Sequence, residues 1–142
     1  MALVVVAFVG LVLGGCGGGG GAAPKARTVD VDMVDVAFRP DRVDVKVGET
    51  VTFRFRNTGT LDHSALLADP ATQKQHNDDM IRANREDTTQ SHSHHLGADV
   101  LLVRPGGTGT LTHTFDSAGT WEIACHEPGH YLGGTELTIV VS

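Results

Sequence analysis

The feature that most limits the fold of this chain is a two-residue alternation of apolar and polar side chains in short segments. Residues 43–47 and 51–55 place valine or phenylalanine at every second position, with charged or hydroxyl side chains between them. Turn-forming sequences rich in Gly, Asn, Asp and Pro separate such segments, at 48–49, 57–59, 105–107 and 116–119. Because a strand points successive side chains to opposite faces, each segment predicts a half-buried strand. Short strands at this spacing indicate an all-β protein, an antiparallel sandwich or barrel.

The pattern predicts seven or eight strands and one insertion. It returns at 101–103, 111–115, 121–125 and 136–141. Near Met33 and Val34 the alternation changes phase, which predicts a β-bulge in the first strand. Residues 69–96 lack the alternation and are polar, so we expect an insertion there, with a short helix within 77–85.

Length and charge exclude several classes of protein. The chain has 142 residues, enough for one ordinary domain. Its formal net charge is −6, and its 11 Lys and Arg residues form no cluster, so we expect no nucleic-acid partner. Two cysteines cannot build a disulfide-dense scaffold. We expect a monomer.

The first residues predict an export signal. Residues 1–13 are almost wholly apolar but shorter than the roughly 20 residues that span a bilayer, which fits a signal peptide. Leu13-Gly14-Gly15-Cys16 resembles the lipobox of bacterial lipoproteins, although no Lys or Arg precedes the apolar run. That resemblance implies a signal peptide at 1–15 and a lipid on Cys16, and residues 16–27 then form a Gly-rich tether. The alternative is a buried strand followed by a loop.

These segments together divide the chain into three parts. They predict a signal peptide at 1–15, a lipidated cysteine and tether at 16–27, and a folded domain at 28–142 that contains the insertion 69–96. We therefore expect an exported protein, anchored by its lipid to the periplasmic or extracytoplasmic face of the cell membrane.

The residues with the clearest chemistry lie near the C-terminus. Cys125 ends a predicted strand, and His130 follows it across a Pro-Gly turn. His63 follows another predicted turn, at 57–59. A thiolate and two imidazoles brought together suit copper that changes oxidation state. Zinc accepts the same ligands, so a zinc-bound or empty binding module is an alternative.

The predicted domain resembles the cupredoxins, β-sandwich copper proteins such as plastocyanin and azurin. The resemblance covers residues 29–141 and rests on the opening strands with Phe38-Arg39-Pro40, on Asn57 followed by His63, and on Cys125-x4-His130 with its Pro-Gly-His-Tyr core. It implies a Greek-key β-sandwich that holds one type 1 copper ion, with His63, Cys125 and His130 as the equatorial ligands.

The same resemblance implies a function. We expect a one-electron carrier that exchanges electrons with membrane-associated redox proteins and is not an enzyme. Multicopper oxidases and copper nitrite reductases need further domains, and a binuclear copper site needs a second cysteine in the ligand loop, which has only Cys125.

The chain departs from the family pattern at the axial ligand of the copper. Cupredoxins often have methionine four or five residues after the last histidine, and here those positions are Gly134 and Thr135. The candidates for a weak axial contact are the Asp62 carbonyl, Thr135 and Met80.

Histidines in the insertion indicate an alternative function. His76, His92, His94 and His95 could bind a second metal ion, which would favour copper delivery or tolerance over electron transfer. If they bind no metal, these histidines are polar side chains of a solvated loop.

Overall fold

The computed structural model describes residues 26–86 and 100–142, and within α1 it leaves out the side chains of residues 84 and 86. The predictions for residues 1–15, for Cys16 and nearly all of the tether, and for His92, His94 and His95 lie outside the described residues. Nine strands and one helix are found there: β1 Ala26–Val34, β2 Ala37–Arg39, β3 Arg42–Val45, β4 Thr50–Asn57, β5 His63–Ala68, α1 Pro70–Glu86, β6 Val100–Val103, β7 Thr108–Thr114, β8 Gly119–Ala124 and β9 Glu136–Val141.

The strands form two sheets, as expected for a β-sandwich. One sheet has the order β2-β1-β4-β7 and the other the order β3-β9-β8-β5-β6. Most neighbouring strands are antiparallel, but β1 pairs with β4, and β3 with β9, in parallel. The parallel pairs follow from chain crossings, because β3 lies in the second sheet while β2 and β4, on either side of it in sequence, lie in the first. The fold is therefore a sandwich of two mixed sheets.

Alternate apolar side chains fill the space between the sheets. The Phe53 and Phe115 rings meet edge to face at 6.5 Å between centroids, which aromatic pairs favour. Each fully buried large apolar side chain contributes about 1.5–3 kcal/mol through the hydrophobic effect. The largest of them are Phe38, Phe53, Phe55, Phe115, Met33, Ile123, Leu137 and Ile139.

The change of phase near Met33 is a hairpin, so the predicted bulge is wrong. β1 ends at Val34 and β2 begins at Ala37, and these two residues pair across the turn. Val36, in the turn, is 59% exposed. A two-residue turn restarts the alternation on a new strand, and in sequence this looks the same as one extra residue within a single strand.

The insertion contains a longer helix than predicted. α1 has 17 residues and begins at Pro70. Proline is favoured at the first helical position because an N–H there would have no helical partner and because the ring fixes φ at a helical value. Asp69 caps it, since its Oδ1 accepts the N–H groups of Ala71 at 2.9 Å and Thr72 at 3.0 Å. The helix packs against β5 and β8. None of the described helical residues forms a helix long and apolar enough to cross a membrane.

The parallel register of β1 and β4 separates the two ends of the sandwich. Ala26 pairs with Thr50 at one end, and Met33 pairs with Asn57 at the other. Since β5 begins at His63, shortly after Asn57, the loop before β5 lies at the end far from the start of β1.

Candidate metal centre

The three predicted ligands meet at this end of the sandwich. His63 is the first residue of β5, Cys125 directly follows β8, and His130 lies in the loop between β8 and β9. One possible ligand atom from each lies within 4.8 Å of those of the other two, and all three side chains are buried. Among residues 26–86 and 100–142, no other group of three His, Cys, Asp or Glu side chains has this geometry.

Asn57 shapes the loop that delivers His63. Its side-chain Nδ2 donates to the carbonyls of Leu61 at 2.8 Å and Val103 at 2.9 Å. Its Oδ1 accepts the N–H of Gly59 at 3.0 Å. Asn57 is 1% exposed, so water does not reach its side chain, and these three bonds satisfy both the nitrogen and the oxygen of the amide. The loop is thereby fixed across its length before His63 begins β5.

Backbone hydrogen bonds fold the loop between β8 and β9 back on itself. The Cys125 N–H donates to the carbonyl of Thr135, and the Thr135 N–H donates to the carbonyl of His130, each at 3.0 Å. Gly129 and Gly134 take φ values of 85° and 83°, a left-handed conformation that favours glycine. The folded loop places His130 Nδ1 3.3 Å from Cys125 Sγ.

The Cys125 sulfur lies in a buried, hydrogen-bonded environment. Burial raises the pKa of the Cys125 thiol, and the Ser64 N–H, 3.3 Å from Sγ, partly offsets this. Ser64 Oγ lies 3.7 Å from Sγ and accepts the His126 N–H at 3.0 Å. The sulfur is therefore protonated at neutral pH without a metal, and a metal ion binds by displacing that proton.

His63 has the character of a metal ligand. Its two ring nitrogens are buried and have no hydrogen-bond partner within the described part of the chain. Burial lowers the pKa of His63, and so does its neighbour His130, whose own pKa is lowered by burial. Both rings are therefore neutral at pH 7, each with a nitrogen lone pair. Two neutral imidazoles and a thiol that can ionise are the donor set of a trigonal copper site, so these residues fit a copper ion.

The structure describes all three candidates for the axial contact. Thr135 is fully buried, and its hydroxyl oxygen has no hydrogen-bond partner among the described residues. Asp62 is exposed and directly precedes His63. Met80 lies in α1, half-buried. An axial role for any of them stays a prediction.

His76 in α1 and His126 after β8 form a second histidine cluster, with 4.5 Å between their ring centroids. Of the two, only His76 was predicted from the sequence to bind a metal. Burial, and then His76, lower the pKa of His126 to about 4. His126 Nε2 lies 2.7 Å from Gln73 Oε1. The sequence does contain a feature that points to the placement of His126. If the alternation of β8 is continued past Ala124, His126 falls on the outer face of the sheet, which α1 covers.

The comparison with known families agrees with this centre. The profile described as "Copper binding proteins, plastocyanin/azurin family" matches residues 25–142. The chain belongs to this family, so it is a copper-binding cupredoxin. Cupredoxins are electron carriers rather than enzymes, and they are extracytoplasmic proteins.

Individual relatives fall into two groups by name. The chain is 33% identical to the "Copper-resistant cuproprotein CopI" of Pseudomonas aeruginosa, over 83% of this chain and 78% of that protein. It is 28% identical to "Auracyanin-A" of Chloroflexus aurantiacus, over 92% of this chain and 90% of that protein. Among solved structures, the reduced auracyanin of Roseiflexus castenholzii matches with a TM-score of 0.66 and 24% identity, over 81% of this chain and 96% of that one, which shows a shared fold.

Proposed function

We propose that this protein carries single electrons between redox proteins outside the cytoplasm and does not catalyse a reaction. The observation that supports this most directly is the buried His63, Cys125 and His130 set. Copper bound to these residues supplies reversible one-electron chemistry. Backbone hydrogen bonds within the ligand loop, and from Ser64 to the sulfur, fix the donor atoms in place before a metal binds. A rigid donor set changes little between two oxidation states, which favours fast electron transfer.

The edge of the site offers a surface for partner proteins. His130 is 8% exposed, and Leu132, two residues later in the same loop, is 73% exposed. We propose that electrons leave through His130 and that redox partners dock briefly on this apolar edge. Small, weakly polar interfaces suit short-lived complexes of electron-transfer proteins.

Copper handling is a second candidate function, and specific observations favour it. Two groups of relatives carry different names, and one of them is named for copper resistance. In addition, His76 and His126 form a pair of imidazoles outside the His63 centre. A protein for copper delivery or tolerance would bind an additional copper ion and release it, whereas a carrier retains one ion through many redox cycles.

We also propose that Cys16 carries the lipid that anchors the protein. The support is the sequence before it, a short apolar run that ends in a lipobox-like Leu-Gly-Gly-Cys. Intact mass measurement of the membrane fraction tests this. A lipid adduct that Cys16→Ser abolishes is expected, and an unmodified Cys16 in the mature protein would contradict it.

Titration of the purified protein with copper(II) tests the main proposal. We expect an intense visible thiolate-to-copper absorption that saturates at one ion per chain, and a reversible one-electron wave in voltammetry. The matched control is Cys125→Ser, which keeps both imidazoles and has no thiolate. A colourless copper complex, or an ion that shows no reversible redox cycle, would contradict the electron-carrier proposal.

A further inference from the structure

Gln73 connects α1 to the sandwich through its side chain. It is fully buried, and its Nε2 donates to the carbonyls of Leu66 at 2.8 Å and Glu122 at 3.0 Å. Those carbonyls belong to β5 and β8, the two strands that the helix covers. Because a carbonyl only accepts, these two bonds determine which end of the amide is nitrogen. The amide oxygen of Gln73 therefore faces His126.

This orientation assigns the tautomer of His126. Gln73 Oε1 lies 2.7 Å from His126 Nε2. An amide oxygen accepts and does not donate, so Nε2 carries the proton. A neutral imidazole with its proton on Nε2 has its lone pair on Nδ1. The hydrogen-bond network of the helix thus leaves His126 Nδ1 as a metal-binding or proton-accepting atom.

The lone pair on Nδ1 has no partner among the described residues. His126 is 6% exposed, and its Nδ1 is buried without a hydrogen bond. The rings that flank it are His76, at 4.5 Å between centroids, and Tyr131, at 4.8 Å. His76 follows Gln73 by three residues and therefore lies on the same side of α1. A second imidazole thus stands beside the unsatisfied nitrogen.

We propose that His126 Nδ1 and His76 bind a second metal ion, copper(I), between α1 and the loop that follows β8. Imidazole nitrogens suit copper, and a buried charge of +1 costs less to desolvate than one of +2, which favours copper(I) over copper(II). Copper(I) has a filled d shell and accepts two ligands. His76 is only half-buried, so its ring has room to turn and admit an ion beside His126 Nδ1. The ion enters and leaves as copper(I), so the site performs no redox step.

This ion lies apart from the His63 centre although Cys125 and His126 are neighbours in sequence. Successive residues point to opposite faces of a sheet, so Cys125 faces the core and His126 faces the helix. The inference deepens the copper-handling candidate and rests on it for biological meaning, but the binding itself does not depend on electron transfer.

Silver(I), a monovalent ion that copper(II) does not oxidise, tests the second site. The full-length Cys16→Ser chain, whose one remaining thiol is Cys125, is first loaded with copper(II) and then titrated with silver(I), and bound silver and visible absorption are measured together. We expect one silver ion per chain with the copper absorption retained. The visible absorption reports the His63 centre and the silver stoichiometry reports the second site, so the two proposals can fail separately.

Three variants locate the silver ion. His76→Ala should weaken silver binding at least tenfold and leave the copper absorption unchanged, and Gln73→Leu, which removes the acceptor that selects the tautomer, should weaken it less. The matched control is the triple variant His92→Ala, His94→Ala, His95→Ala, which should keep the silver ion. Binding that is lost only in the triple variant, or that survives His76→Ala at full affinity, would overturn the proposal.

Discussion

The substitution Asn57→Ala should destabilise the protein strongly although Asn57 binds no metal. The side chain makes three hydrogen bonds, to the Leu61 and Val103 carbonyls and from the Gly59 N–H. Alanine removes all three and leaves these backbone groups without their partners. The loop that leads to His63 then loses the contacts that hold it against β6.

The size of the effect follows from those bonds. Each hydrogen bond contributes about 0.5–1.5 kcal/mol net, and a buried polar group left unpaired costs about 1–3 kcal/mol. The Val103 carbonyl is the partner in a fully buried bond, whereas the bonds to Leu61 and Gly59 are only partly buried. Water therefore compensates part of the loss at the latter two. We expect a loss of about 2–4 kcal/mol in the free energy of unfolding, which lowers Tm by roughly 10 °C in a domain of this size.

Chemical and thermal unfolding of the metal-free protein measures this loss. The metal-free form is required, because an ion that binds only the folded state adds its own stabilisation. The matched control is Thr58→Ala, the next residue, which is exposed and whose hydroxyl makes one long, partly buried bond of 3.4 Å to the Met33 carbonyl. We expect the control to lose about 0.5 kcal/mol or less. If Asn57→Ala costs no more than Thr58→Ala, the side chain does not hold the loop as argued.

Three further predictions concern the metal centre. Thr135→Met should place a thioether at the position of a buried hydroxyl that has no hydrogen-bond partner among the described residues. The reduction potential of the copper protein, measured by voltammetry, should then rise, and an unchanged potential and spectrum would exclude Thr135 from the axial position. Copper(II) affinity should rise with pH over the neutral range, because the raised pKa of Cys125 means that binding displaces a proton; equal affinities at pH 6 and 8 in a competition assay would contradict this. Burial lowers the pKa values of His63 and His130 and takes that of His126 to about 4. Below about pH 6.5 these histidines therefore bind protons more readily in the unfolded chain than in the folded one. Stability of the metal-free protein should therefore hold above about pH 6.5 and fall as the pH drops towards 4, and a Tm independent of pH across that range would refute the shifts.

The alternation predicted most of the strands, and the spacing together with the cupredoxin resemblance predicted which three side chains meet; that these three bind copper stays a prediction. Segments in which apolar and polar residues alternate form β3, β4 and β9 in the structure, and the number of such segments led us to expect a sandwich. Cys125 and His130 are placed by a strand end and a turn, which are local features of the sequence, and the resemblance to the cupredoxins added His63. Strand partners are not local, and the parallel pairing of β1 with β4 depends on which sheet β3 joins.

The first two turns of α1 were not predicted, because the buried face of this helix is polar. Helices are recognised by an apolar stripe, whereas α1 buries Gln73 and Asn77 against the sheet. Gln73 achieves this by bonding to backbone carbonyls, a pairing that no single-sequence pattern indicates. The contacts of His126 with Gln73 and His76 were not predicted either, because those two residues lie in a helix about 50 residues earlier in the chain.

The opposite placement of Ala26 and the ligand loops determines how an anchored protein would stand on a membrane. The nine residues of β1 span about 30 Å at the usual rise per residue, from the point where the tether enters to the end that holds His63. Nine residues, five of them glycine in a row, separate Cys16 from Ala26. With a lipid on Cys16, the anchored chain would enter the sandwich at the end opposite to the ligand loops, so the copper site would lie at the end farther from the attachment point. A redox partner that projects from the membrane or diffuses freely would then reach the copper site more readily than one confined to the membrane plane.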